Sequence, residues 1–272
     1  MAVEEQAWIQ KPISAWADDR VAGLLEAMRS PWLPRCLGRD PSDSSFYRWE
    51  YIQGETLRQR GARPLEPARL EVWFNQILQG LALITLAADK PFAHLDISPG
   101  NIIITPHDQA VLIDLASARF LDGEAESSAT LRSMTAGYAA PEVYFGRLCP
   151  QTDLYSLAMS LLAALTGRMA AELDQGAIKK ALDRLDRSFA KRLAACLQED
   201  PELRAPAVRG TLYGNLLRET GGTYPTLTVK PQERASPCPH SLEDCPFMRT
   251  ADRIRQGKGG SSVTDRPGSV LQ

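Results

Sequence analysis

The sequence has no long apolar run, since no stretch of about 18 consecutive apolar residues occurs in the chain. The first ten residues include Glu4 and Glu5 and lack the apolar core of a secretory signal peptide. These absences exclude an obvious membrane span and an obvious export signal. We therefore expect a cytoplasmic protein that does not insert into a membrane.

An excess of charge of one sign is also missing. The 31 basic and 33 acidic residues leave a formal net charge of -2 at pH 7. A surface that attracts phosphate backbones or acidic lipids normally needs a marked positive excess. The charge balance therefore gives no reason to expect a nucleic acid partner.

Cysteine is scarce, with five scattered residues, an odd number that favours reduced thiols over a disulfide framework. Cys238, His240 and Cys245 form one cluster, which offers three metal ligands, one fewer than a closed structural zinc site. Free thiols in a flexible segment are the alternative interpretation of this cluster, and we favour it.

The chain does have the composition of a globular protein, with 44% hydrophobic and 24% charged residues in 272. Apolar periodicity predicts helices over about residues 70–84, 154–165 and 177–197, the last range holding one or two helices. A further helix is expected over about residues 15–28, after a short apolar strand. Two β-branched runs, 102–104 and 111–113, flank a turn-forming segment and predict a hairpin.

The most informative segment is residues 94–101, His-Leu-Asp-Ile-Ser-Pro-Gly-Asn, which precedes the hairpin that ends at Asp114. In phosphate transfer, one carboxylate meets the incoming hydroxyl, while an amide and a second carboxylate hold a metal against the ATP phosphates. Asp96, Asn101 and Asp114 supply these groups in the required order. We predict all three as catalytic residues, with Asn101 and Asp114 as the metal ligands.

Four further motifs, one before this segment and three after it, occur in the order found in one enzyme family. They lie at residues 49–57, 137–142, 152–157 and 200–204. Together with the catalytic loop, they resemble the hinge, the Ala-Pro-Glu segment, the central helix and the Asp-Pro-x-x-Arg signature of eukaryotic-type protein kinases. The resemblance covers roughly residues 46–217, and five ordered matches are improbable by chance.

The resemblance implies an α+β, protein kinase-like fold of two lobes, with a reduced N-terminal β lobe and a mainly helical C-terminal lobe. The kinase domain would cover residues 1–220, with the small lobe and hinge at 1–52 and the large lobe at 53–220. Proline, glycine, serine and threonine dominate residues 221–272, and we expect a largely disordered tail there.

The resemblance also implies ATP and Mg²⁺ as cofactors, and a protein substrate or regulatory partner. Lys11 matches the strand lysine that contacts the α- and β-phosphates, and Glu50 and Ile52 fall in the hinge that touches adenine. Ser98 occupies the place of a lysine that usually steadies the γ-phosphate. Thr135 matches the threonine that contacts the catalytic Asp in Ser/Thr-directed kinases.

Other matching residues have structural roles in the family. By resemblance, His94 packs within the catalytic loop, and Asp153 braces the loop backbone. Glu142 and Arg204 are expected to form a buried ion pair. Trp49 lies where a bulky side chain would narrow the back of the adenine pocket, and an ordinary buried strand tryptophan is the alternative interpretation.

The small lobe departs from the family pattern. No glycine precedes Gly23, so the Gly-rich loop that covers the phosphates is missing. The helix Glu that pairs with the strand lysine would fall near Val21, where only Asp19 and Glu26 lie within about a turn. Leu95 occupies the position of an Arg that usually contacts a phosphorylated activation segment. Because this Arg is absent, the sequence argues against control by phosphorylation of that segment.

Three functions are compatible with these residues. A Ser/Thr protein kinase, of full or of low activity, is favoured by the intact set of Asp96, Asn101 and Asp114. A pseudokinase that acts by binding a partner is favoured by the departures in the small lobe. A small-molecule kinase of the aminoglycoside or choline type has a similar catalytic loop, but the Ala-Pro-Glu motif and the Asp153 helix argue against it.

Overall fold

The computed structural model describes residues 8–13, 18–121, 135–208, 213 and 227–228. In the small lobe it contains an antiparallel sheet of three strands in the order β1-β3-β2, namely β1 (Trp8–Pro12), β2 (Cys36–Arg39) and β3 (Phe46–Glu50). Exposed and half-buried residues alternate along β1, the pattern of a strand with one face on the core. The predicted lysine strand is therefore present, with Lys11 opposite Tyr47 in β3.

Helix α1 (Asp19–Ala27) follows β1 and buries Val21, Ala22 and Leu25 against the rest of the protein. The prediction that it begins at residue 15 was wrong, because Asp18 has an extended backbone and acts as the N-cap. Its carboxylate accepts the main-chain N–H of Arg20, one of the donors that a helix leaves unpaired at its start.

The hinge leads from β3 into β4 (Glu55–Thr56) and α2 (Leu57–Gly61). Gly54 has a φ of 155°, and a Cβ there would collide with the carbonyl oxygen of Ile104. Only glycine allows this close approach of the hinge backbone to the strand beside it.

The predicted hairpin is confirmed as β6 (Ile102–Ile104) paired antiparallel with β7 (Ala110–Leu112). Strand β4 adds to its other side, so the hairpin becomes part of a three-stranded sheet in the order β4-β6-β7. All six residues of β6 and β7 are buried. The hairpin therefore places the residues just beyond its ends, Asn101 and Asp114, on a rigid support.

Helix α3 (Pro67–Ala88) confirms the predicted amphipathic helix and extends it at both ends. Proline at its first position fits, because the missing N–H would have no partner there. Its length and apolar composition would allow a membrane span, but the core helices of globular proteins share both features. Much of its apolar surface is buried inside the protein. Leu70, Phe74, Ile77 and Leu81 are fully buried at helical spacing.

Helix α4 (Thr152–Thr166) confirms the predicted helix that is buried all round, since nearly every residue from Thr152 to Leu165 is buried. Two further helices, α5 (Gln175–Leu182) and α6 (Arg187–Cys196), account for the predicted helical range 177–197. The predicted α+β, kinase-like class is confirmed, with a small β lobe and a mainly helical large lobe.

Two short strand pairs complete the described chain. They are β5 (Phe92–Ala93) with β8 (Arg119–Phe120), and β9 (Arg147–Leu148) with β10 (Leu227–Thr228). Short 3-10 helices occur at Leu115–Ser117, Pro141–Phe145, Ala170–Glu172 and Pro201–Val208. Except for β10, the predicted disordered tail and its Cys238, His240 and Cys245 cluster lie outside the described residues.

Glu142 and Arg204 form the expected buried ion pair. Two guanidinium nitrogens of Arg204 donate to the two Glu142 oxygens at 2.6 and 2.8 Å, and both side chains are almost fully buried. The Arg204 guanidinium also donates to the carbonyls of Gln198, Gln151 and Glu199. The pair thus ties the Ala-Pro-Glu segment to the end of the helical lobe.

Arg204→Ala is expected to lower the free energy of unfolding by roughly 3 to 5 kcal/mol, because it leaves the Glu142 charge buried without its partner. The midpoint of chemical denaturation measures this change. Arg39→Ala serves as the matched control, because Arg39 pairs with Asp19 at an exposed site and should cost about 1 kcal/mol or less. Equal losses in the two variants would contradict the structural role of Arg204.

Candidate active site

Asp96 is held by hydrogen bonds on both of its carboxylate oxygens. Asn101 Nδ2 donates to Oδ2 at 2.9 Å and to the main-chain carbonyl of Asp96 at 2.8 Å. Thr135 donates its hydroxyl and its N–H to Oδ1, at 2.7 and 3.0 Å. Burial raises the pKa of the Asp96 carboxyl, although these hydrogen bonds oppose the shift. The structure therefore brings Asp96, Asn101 and Thr135 together as predicted, and it orients the carboxylate.

His94 connects the catalytic loop to the strand before Asp114. Its Nε2 lies 3.2 Å from the carbonyl of Ile113, and its Nδ1 accepts the main-chain N–H of Asp96. This network requires a proton on Nε2 and none on Nδ1, which assigns a neutral tautomer. Burial lowers the pKa of His94 to about 4, which agrees with a neutral ring. The predicted structural role of His94 fits these contacts.

Asp153, at the start of α4, holds the backbone of the catalytic loop. Its two carboxylate oxygens accept the main-chain N–H groups of His94 and Leu95 at 2.7 and 3.0 Å. Burial raises the pKa of Asp153 to about 7, while the two hydrogen bonds oppose that shift. Leu95 has a φ of 66°, an unusual conformation for an L-residue, and the bond to its N–H helps to hold it.

Asp114 follows the end of β7 with a left-handed backbone, φ 65° and ψ 71°. The N–H of the preceding Ile113 donates to the carbonyl of Asn101 at 2.8 Å, which places the two predicted metal ligands side by side. Asn101 uses its amide nitrogen for Asp96, and its Oδ1 accepts no hydrogen bond from the residues that the structure describes. Amide and carboxylate oxygens suit Mg²⁺, and this donor set therefore fits the ion.

Lys11 reaches the site, as the sequence predicts. Its Nζ lies 2.8 Å from Asp114 Oδ2, with 27% and 34% of the two side chains exposed. A pair this open to solvent is worth about 1 kcal/mol at most for stability. The contact therefore matters for the geometry of the site more than for the stability of the fold.

The helix that usually supplies a carboxylate to this lysine does not do so among the described residues. Val21 and Ala22 line the cleft at the expected position. Asp19 points away, since it accepts the Tyr47 hydroxyl and the Arg39 guanidinium at 2.8 and 2.7 Å. The described ion partner of Lys11 is Asp114.

The cleft between the lobes contains about 860 Å³ of empty space, part of which is open to solvent. The predicted hinge residues Glu50 and Ile52 line it, and Trp49 forms part of the wall with only 9% of its surface exposed. Most other lining residues are apolar, as in a pocket for a flat heterocycle, and they include Ile9, Val21, Ala22, Ile103, Ile113 and Leu115.

Ser98 is placed differently from the other predicted site residues. It is 2% exposed, and its carbonyl accepts the N–H of Asn101 at 2.9 Å. It is not among the residues that line the cleft. In the structure Ser98 shapes the catalytic loop, whereas Lys11, Glu50, Ile52 and Asp114 form the cleft wall.

Asp18 lines the same cleft and was missed by the sequence analysis. Its position as an acidic residue just before an apolar periodic segment is the usual signal of an N-cap. That signal could have located the start of α1. It could not have revealed the contact that Asp18 makes with Phe120, 102 residues later in the chain.

Comparisons with known proteins agree with this geometry. The family model of the protein kinase domain matches residues 23–212. Serine/threonine-protein kinase D of Synechocystis is 26% identical over 258 residues, which is 89% of this chain and 50% of the relative. Serine/threonine-protein kinase pkn2 of Myxococcus xanthus is 31% identical over 159 residues, 55% of this chain and 19% of the relative.

The chain thus spans half or less of the length of these relatives. The matched family segment includes the catalytic loop, Asp114, Glu142, Asp153 and Arg204, whose contacts are described above. Since the family model covers well over half of the sequence, the chain belongs to the protein kinase family.

Proposed function

We propose that the protein transfers the γ-phosphate of ATP to serine or threonine hydroxyls of a protein substrate. The observation that carries this proposal is the ordered set around Asp96, with Asn101 on one carboxylate oxygen and Thr135 on the other. Asp114 stands next to Asn101 through the Ile113 hydrogen bond. This set contains a base for the hydroxyl and two oxygen ligands for a cation.

Each group has a separate task in the proposed reaction. Asp96 accepts or orients the proton of the acceptor hydroxyl, and burial, which raises the pKa of its carboxyl, makes it a better base. Asn101 Oδ1 and Asp114 would hold Mg²⁺, which neutralises charge on the phosphates when bound. Lys11 would contact phosphate oxygens, and its ion pair with Asp114 would weaken when it does so.

The remaining predicted contacts concern the nucleotide base and the acceptor. Glu50 and Ile52 are the proposed hinge contacts for adenine, and both line the cleft. The Glu50 carboxylate accepts the N–H of Arg35 at 3.0 Å, so this side chain is tied to the small lobe. The bond from Thr135 to Asp96 supports the Ser/Thr class, because it is the contact that the resemblance associates with such kinases.

The second candidate function is that of a pseudokinase. One observation favours it: Val21 and Ala22 replace the helix carboxylate, and Lys11 is paired with Asp114 instead. In an active kinase the lysine–glutamate pair and the metal-binding Asp must both be in place. The two candidates differ in a measurable way, because only the enzyme must bind nucleotide together with Mg²⁺.

Nucleotide binding is tested by titrating the protein with ATP in a thermal-shift assay, once in the presence of Mg²⁺ and once in the presence of EDTA. We expect stabilisation that grows with millimolar Mg-ATP and disappears in EDTA, because a ligand stabilises the folded state by mass action. Mg²⁺ without nucleotide is the control for unspecific salt effects. A wild-type protein with no stabilisation by Mg-ATP would contradict the kinase proposal and leave the partner-binding scaffold.

A further inference from the structure

Helix α1 forms one wall of the cleft, yet it has no ionic contact with Lys11 among the described residues. In an active kinase this helix must be held in register with the metal-binding Asp. A different contact of α1 can perform this task. The candidate is at its first turn, where Asp18 faces the cleft.

Asp18 joins α1 to a strand far away in sequence. One carboxylate oxygen, Oδ1, accepts the N–H of Arg20 inside the helix at 3.1 Å. The other, Oδ2, accepts the main-chain N–H of Phe120 in β8 at 3.2 Å. One carboxylate thus satisfies a helix donor and a strand donor at the same time.

The Arg20 guanidinium holds this carboxylate in place. Its Nε and Nη2 donate to Oδ1 and Oδ2 of Asp18 at 2.9 and 2.8 Å, a two-point contact that fixes the plane of the carboxylate. The same guanidinium lies 5.2 Å from the centre of the Phe120 ring. The Asp18 side chain is only 13% exposed, so solvent replaces these contacts poorly.

Phe120 connects to both halves of the catalytic machinery. Along the chain, β8 follows Asp114 after the single turn Leu115–Ser117. Across the sheet, Phe120 pairs with Phe92 in β5, and their rings pack edge to face at 5.9 Å. Strand β5 ends at Ala93, immediately before His94 and the catalytic loop.

We propose that Asp18 is a positioning residue for phosphate transfer, which fixes α1 to β8 and thereby sets Asp114 and the catalytic loop relative to the helix wall. This inference rests on the proposed function for its catalytic consequence. Asp18 takes over the task that a lysine–glutamate pair performs elsewhere, through the backbone of Phe120. Asp19 is unsuited to that task, because its two oxygens bond Tyr47 and Arg39.

Asp18→Asn is the variant that separates this role from helix capping. Asn is as good an N-cap as Asp, so α1 keeps its start. Asn, however, carries an NH₂ group in place of one carboxylate oxygen, so one of the two separate acceptors used by the Arg20 and Phe120 N–H groups is replaced by a donor. Asp186→Asn is the matched control, since Asp186 caps α6 by accepting the N–H of Ser188 at 2.7 Å, in the large lobe.

Hydrogen exchange measures the coupling without any need for activity. In Asp18→Asn, the peptide with residues 115–121 should exchange about tenfold faster, because the lost bond to a charged acceptor is worth a factor of this order. In Asp186→Asn, that peptide should exchange as in the wild type. Equal protection of residues 115–121 in the wild type and in Asp18→Asn would overturn the proposal.

Kinetics then test the catalytic consequence. Asp18→Asn should raise the KM for Mg-ATP about tenfold and raise the Mg²⁺ requirement, while its thermal midpoint falls no further than that of Asp186→Asn. Should Asp18→Asn fail to fold, Arg20→Gln tests the same contact, because it removes the guanidinium that orients the carboxylate. A KM and Mg²⁺ requirement equal to those of Asp186→Asn would overturn the positioning role.

The two proposals fail in distinguishable ways. An inactive wild type that does not bind Mg-ATP contradicts the proposed kinase function, while the exchange of residues 115–121 still decides the role of Asp18. An active wild type with an unaltered Asp18→Asn variant contradicts the positioning role alone.

Discussion

Asp96→Asn is expected to reduce phosphate transfer by a factor of about 10² to 10⁴, the usual contribution of a positioned acid or base. The asparagine cannot take the proton of the acceptor hydroxyl, although it nearly preserves the shape of the side chain. Binding of Mg-ATP should persist, because Asp96 is not one of the proposed metal ligands. The measurements are the initial rate of phosphate incorporation and the thermal shift with Mg-ATP.

Asp43→Asn is a suitable control for this variant. Asp43 accepts the N–H and hydroxyl of Ser45 in an exposed loop of the small lobe, and the same change in charge there should leave the rate unaltered. Transfer by Asp96→Asn at the rate of Asp43→Asn would show that Asp96 is not the base. A complete loss of Mg-ATP binding would instead show that Asp96 shapes the nucleotide site.

Asp114→Asn should abolish the Mg²⁺-dependent part of nucleotide binding, and with it turnover. The variant removes a carboxylate from the proposed metal ligands and also removes the ionic partner of Lys11. Because that pair is partly exposed, its loss should change the free energy of unfolding by about 1 kcal/mol or less. The expected result is a folded protein whose melting temperature no longer responds to Mg-ATP.

Lys11→Met separates the two consequences of the Asp114 change. It removes the same ion pair but keeps both proposed metal ligands, so part of the Mg²⁺-dependent stabilisation should remain. If Mg-ATP stabilised Asp114→Asn as much as it stabilises the wild type, the role of Asp114 as a metal ligand would be contradicted.

The site could be predicted largely because its elements lie at short, fixed spacings. Asp96 and Asn101 are five residues apart in one loop, and the hairpin that follows is a local structure that brings Asp114 back beside them. The contacts of Thr135 with Asp96 and of Arg204 with Glu142 were accessible only through the family resemblance, since no local pattern encodes them.

The contacts that sequence reasoning missed are set by tertiary packing. The bond between Asp18 and Phe120 depends on how α1 docks against β8, and neither residue has a local signature for that contact. The start of α1 was placed too early because the helix was positioned by its place after the lysine strand, which does not reveal that the side chain of Asp18 caps the first turn. Ser98 was aligned to the place of a lysine, but a short side chain there is buried within the loop.

Phosphate incorporation from radiolabelled ATP, followed by identification of the modified amino acid, tests the proposed kinase function most directly. Wild-type protein and Asp96→Asn would be assayed side by side, each with Mg²⁺ and with EDTA, on the protein itself and on a general protein substrate. The expected result is label on serine or threonine that requires both Mg²⁺ and Asp96. Label that is equal in both proteins, or no label with wild-type protein at millimolar Mg-ATP, would contradict catalysis by this site.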